Sequence, residues 1–197
     1  MRWSIGRALV ALALMCASML GFAQAAGASS GCERSHCDGA VYGWHVGDDF
    51  LHQAVGAPEG DQAMASNGDV VTVEGTGAFS LHPRAASGGG TFKHKMAATG
   101  EVATGTFQVR EVKSFESFGN GTPQGTPPNF FGGRLKLLVD LTPDKEPWKH
   151  FKGLLTVNCA LGNPPPGVEE GIMLKVFDLI DFDKTVHESG QNVFVLL

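Results

Sequence analysis

The residues in this chain with the chemistry to bind or react fall into a few groups, and none forms an established catalytic signature. Cys32, His36, Cys37, His45 and His52 are metal-ligand types within a short span. Four such groups would suffice for a structural zinc ion, but their spacing matches no zinc motif. The reading taken here is a Cys32–Cys37 disulfide with surface histidines and no metal. Asp178, Asp181 and Asp183 offer oxygen ligands for calcium. They lack the glycine and terminal glutamate of a calcium loop, and in a strand their carboxylates would splay to different faces, so they read as solvated strand-end charges. No G-x-S-x-G or H-E-x-x-H occurs, so His82, His94, His150 and His187 have no nucleophile or metal partner legible in the sequence. His94 shares a phase with Phe92 and Met96 and is the histidine expected to face an interior pocket. No catalytic residue and no cofactor is expected.

Two further features concern recognition. Asn120-Gly121-Thr122 matches a glycosylation acceptor, which matters where the host glycosylates secreted proteins. The glycine- and proline-punctuated segment 119–133 carries Phe130 and Phe131, which make it the expected binding loop, since loops on rigid sheets carry recognition and aromatics favour interfaces. The competing reading is that both rings plug the end of the core.

The compartment follows from the N-terminus. Arg2 and Arg7 precede an apolar run over residues 8–23, and Ala23-Gln24-Ala25 supplies small residues for cleavage. This is the pattern of a secretory signal peptide, 1–25, and the run is short for a bilayer span of roughly 20 residues. Cys16 lies inside the run without the small residue before it that lipoprotein processing would need. Cleavage after Ala25 removes two arginines and no acid, which takes the formal charge from −5 to −7. Such a surface repels phosphate backbones, so nucleic acid is excluded as the expected partner. Secretion permits disulfides, and Cys32, Cys37 and Cys159 remain. A local Cys32–Cys37 bridge leaves Cys159 on the apolar phase of its strand. The alternative bridges Cys159 to one of the other two.

The elements that would position these groups are strands. Over residues 69–82, Val71, Val73, Gly75, Gly77, Phe79 and Leu81 share one face, and Val70, Thr72, Glu74, Thr76, Ala78, Ser80 and His82 the other, which is the period of a half-buried strand. The inward glycines suit a bend. After a loop over 83–90, segments 91–96 and 101–113 read as a hairpin, and 134–141 with 150–161 as another. Segments 171–182 and 191–197 complete about seven strands, while 48–55 is expected to hold a short helix. The fold expected is all-β, an antiparallel meander forming a barrel or sandwich over 66–197, with an irregular N-terminal extension over 26–65.

The tract Glu74-Gly75-Thr76-Gly77-Ala78-Phe79 resembles the glycine-rich strand of the dirigent and allene oxide cyclase-like barrels. That resemblance, over six residues, implies an antiparallel barrel enclosing a pocket for a small hydrophobic molecule, with no site residue carried over. Two functions are therefore expected: a secreted, non-catalytic β-domain protein acting by extracellular binding or as a structural component, or a small β-barrel enzyme or carrier for a small hydrophobic ligand. A filled interior would favour the first and a polar-lined pocket containing His94 the second.

Overall fold

The computed structural model describes residues 39–197. The signal peptide and the Cys32–Cys37 pair lie outside the described residues. The strands are β1 (Val41–Val46), β2 (Asp61–Met64), β3 (Val70–Leu81), β4 (Arg84–Lys95), β5 (Val102–Asn120), β6 (Phe130–Pro143), β7 (Phe151–Cys159), β8 (Gly171–Val176), β9 (Ile180–Phe182), β10 (Lys184–Thr185) and β11 (Asn192–Leu196). Helix α1 (Asp49–Val55) lies between β1 and β2. The all-β, antiparallel architecture expected from the alternation is the one observed. Among the described residues no helix is long and apolar enough to cross a membrane.

All the strand pairs are antiparallel, and the sheet closes partly into a ring. β3 pairs with β4, β4 with β5 and β5 with β6 along their lengths. β6 then pairs with β11 through Phe130 and Phe131, β11 with β1, and β1 back with β3. The ring strands β3 and β6 each carry two partners end to end on one edge. β2 precedes β1 along β3, and β7 lies beside β11 along β6, continuing outward into β8 and β9. β2 in turn lies against β8 and pairs with β10. Where those end-to-end partners meet there is a seam at which the hydrogen-bond ladder is interrupted.

The sheet reaches further toward the N-terminus than alternation alone suggests. Within the stretch read as irregular, β1 is a ring strand whose Trp44 is fully buried, and α1 forms where a short helix was expected. The Asp48 side chain accepts from Leu51 N–H, and Gly56 ends the helix at φ 69°. Both are the ordinary devices for satisfying helix ends.

Two local expectations are corrected. The loop over 83–90 is not a loop: the chain turns at His82 and Pro83, and the glycines continue β4, with Gly88 opposite Gly77 and Gly90 opposite Gly75. A Cβ at Gly90 would stand 1.9 Å from Glu74 O, so the strands approach there more closely than any side chain permits. β5 also runs on to Asn120 instead of ending near Lys113. Register shifts between Val109 and Glu111, Val112 and Ser114, and Ser117 and Gly119 insert extra residues. The inward residues consequently become Val109, Val112, Phe115 and Phe118, three apart, which erases the period-two signal.

Candidate functional site

The barrel interior is the place where the resemblance puts a ligand, and here it is occupied by side chains. Tyr42 from β1, Phe79 from β3, Phe115 from β5, Phe131 from β6 and Phe194 from β11 meet with ring centroids about 5 to 6 Å apart. These are edge-to-face and stacked contacts that fill space as well as bury area. Below them Trp44 packs near Phe107, and Leu135, Leu137, Leu155 and Ile172 continue the same core.

His94 is not inside this core. It stands half-buried at the rim of β4, where Nε2 contacts Asp69 Oδ2 at 2.8 Å and the ring meets Phe182 edge-on. The second oxygen of Asp69 accepts the Ala97 N–H. That N–H, followed by His94, holds the Asp69 carboxyl below its usual range. The pair therefore ties the turn after β4 to the start of β3.

His45 lies close to Asp48 and Thr76, as an acid, base and nucleophile would. Both contacts fall on one atom, however: Nδ1 is 2.6 Å from Asp48 Oδ2 and 3.3 Å from Thr76 Oγ1. A relay needs the acid and the nucleophile on opposite ring nitrogens. The Thr76 hydroxyl instead donates to Trp44 O, and the imidazole lies tilted against Phe50. His52 is engaged with Ala57 O. Of the five residues weighed as a zinc set, only these last two histidines are described, and each has another partner.

Phe130 and Phe131 open β6 instead of standing in the loop before it. Phe131 packs edge-on to Tyr42, and Phe130 packs beside Phe50 and the small cluster of Leu51, Ala57 and Val193. The loop that was expected to present them holds a short helical turn, Thr122–Gln124, and Gln124 ties it to Gly162. Asn120 is exposed at the end of β5, its side-chain oxygen accepting the Thr122 N–H. Cys159 is buried at the end of β7 with a free thiol. Burial pushes that thiol well above its ordinary range. Asp181 faces Lys175 across β8 and β9 at 3.2 Å, and Asp178 occupies the turn between them at φ 59°.

Two arrangements are legible only in three dimensions. The first is a furrow on the outer face of β6, β7 and β8. Leu154, Thr156 and Met173 form its floor, Arg134, Lys136 and Lys175 supply cations, and Asp181 and Asp183 line the far side of a depression of about 300 Å³. A second depression of about 350 Å³ shares Arg134, Met173 and Asp183 and runs on to Val168 and Glu169. Arg134 Nε donates to Asn158 Oδ1, and Lys175 pairs with Asp181. Lys136 has no ion-pair partner among the described residues. The alternation of β6 makes this set, since Leu135 and Leu137 turn inward and leave Arg134 and Lys136 outside.

The second is a polar cluster at the seam. Glu170, just before β8, accepts the N–H of Ala160 at 2.5 Å and of Asn192 at 2.9 Å. These are the backbone donors exposed where β7 stops and β11 starts. Asp61, at the start of β2, accepts from Gln62 N–H, Ser189 Oγ and Asn192 Nδ2. Burial raises both carboxyls, Glu170 to about 7, with Asp61 adding like-charge repulsion at Glu170.

None of the protein-family models, curated proteins or solved structures compared with this chain matches it. The chemistry therefore rests on its own geometry. The furrow was missed in the sequence because its residues come from four strands, β6 to β9, as single outward positions between core residues. The seam was missed because Asp61 and Asn192 are separated by most of the domain.

Proposed function

We propose that this is a secreted, non-catalytic β-barrel protein that acts by binding through its outer face. The observation that carries the reading is the filled interior. Rings from five strands occupy the volume in which a carrier or barrel enzyme would hold its ligand. The two histidine–aspartate pairs support the same reading, because each is committed to local structure and, among the described residues, neither has a nucleophile hydrogen-bonded to its other ring nitrogen. Secretion rests on the signal-like residues 1–25.

The furrow of Arg134, Lys136, Leu154, Thr156 and Met173 is the surface assigned to binding. Its floor of Leu154, Thr156 and Met173, with a Lys136 that has no ion-pair partner among the described residues, suits an extended peptide with a carboxylate beside an aliphatic side chain. Two measurements test the proposal. Native mass spectrometry of protein secreted by its own source should find the bare polypeptide mass, and a retained apolar molecule would sink the non-carrier reading. NMR titration with short peptides pairing Asp or Glu with Leu should move the amides of Lys136, Leu154, Thr156 and Met173. Shifts confined to another face, or none, would remove the furrow from the proposal.

A further inference from the structure

We propose that Glu170 and Asp61 form a proton-operated latch that clamps the loop between β7 and β8 onto β11, closed when the pair holds a proton and loosened when both carboxyls are ionised.

The latch is built from placement. Glu170 ends the loop 160–170, and its two oxygens reach the backbone N–H groups on either side of the seam. Asn192 stands between the carboxyls: its side-chain amide donates to Asp61 and to the carbonyl of Asn158, its backbone donates to Glu170, and its side chain faces Glu170 as well. Among the described residues the Asn192 Oδ1 atom is buried without a hydrogen-bond partner. The cluster is therefore short of hydrogen-bond donors, and a protonated carboxyl adds one. Two ionised carboxylates held on one buried asparagine repel, and the first of them to ionise keeps the charge.

The groups facing Glu170 are few. Asp61 comes from β2 and the Cys159 thiol from β7, and among the described residues no cation is paired with either carboxyl. Glu169, next in the chain, points outward to Thr185 and His187. The linkage sign follows. A carboxyl whose folded-state affinity for protons exceeds its unfolded value stabilises most at low pH, and its contribution is lost as pH rises through neutrality. Because Gly167, Val168 and Glu169 wall the second depression of the furrow, release of this loop alters that wall, although the latch does not depend on the furrow binding anything.

The test is residue-resolved hydrogen exchange on the full processed chain from pH 5.5 to 8.5, corrected for intrinsic exchange. The amides of Ala160 and Asn192 should lose at least tenfold in protection as pH passes neutrality, while those of Leu137 and Val139 in the core hold steady. Glu170→Gln should flatten the response, and Asp61→Asn should shift its midpoint to lower pH by removing the repulsion that Asp61 exerts on Glu170. Unchanged protection in the wild type, or an identical pH profile in Glu170→Gln, would overturn the latch. Should Glu170→Gln fail to fold, carboxyl carbon NMR of the wild type decides: a Glu170 midpoint in the ordinary glutamate range overturns it as well.

Discussion

Trp44 sits against the bare backbone of Gly77. A Cβ added at Gly77 would stand 2.7 Å from Trp44 Nε1 and 2.1 Å from Ser87 O, the carbonyl to which that indole donates at 3.2 Å. The glycine thus makes room for the largest buried side chain of β1 and for its hydrogen bond in one position.

Gly77→Ala should therefore cost about 1–3 kcal/mol or more, because the clash is with backbone and an immobile ring. Gly43→Ala is the matched control. A Cβ there meets nothing nearer than 3.6 Å, and the substitution should change stability by well under about 1 kcal/mol. Urea unfolding midpoints of the two variants compare them directly.

The alternation of β6 can be tested at adjacent residues. Leu137 is fully buried and Leu138 is half-buried on the opposite face. Leu137→Ala should cost about 2–5 kcal/mol through lost contacts and an unfilled cavity. Leu138→Ala should cost about 1 kcal/mol or less. Equal losses would mean that the strand does not present one side to the core.

Cys159 is predicted to be inert in the native state. Burial is the main cause of its raised thiol, with Glu170 adding repulsion, and nucleophilic attack requires the thiolate. Peptide-resolved alkylation should label Cys159 only under denaturing conditions. Native labelling at the rate of a free thiol would contradict the burial.

Acid should weaken the Asp69–His94 tie. Asp69 is held below its usual range by the Ala97 N–H first and His94 second, so its stabilising effect is present above the unfolded carboxylate pKa and fades as pH falls. Wild type and Asp69→Asn should differ most in thermal stability near pH 6 and converge toward pH 3. A gap that persists unchanged into acid would show that ionisation at Asp69 contributes nothing.

Period-two alternation is a local property, and local reading recovers what depends on it. From residues alone, β3, the hairpins of β4 with β5 and β6 with β7, the helix capped by Asp48 and the all-β class were legible. Reading failed where a feature depends on what lies opposite. The glycines of β4 look like a loop until Gly75 and Gly77 are placed across from them, and β5 beyond Val109 loses its period because its bulges are set by pairing with β6. For Phe130 and Phe131 the sequence left a recognition loop and a plug of the core end equally open, and it is only in three dimensions that they stand half-buried beside Phe50 and Tyr42.

The candidate sites belong wholly to the second kind. Furrow and seam join side chains whose neighbours in space are far apart in the chain, and strand order, unlike strand identity, is decided by which apolar faces bury best together. The amino-acid order alone determined that the chain would hide every other residue in a sheet. Only closure of the ring decided that five aromatics would fill its interior, that Lys136 would stand outside it, and that Asp61 and Glu170 would meet on one buried asparagine.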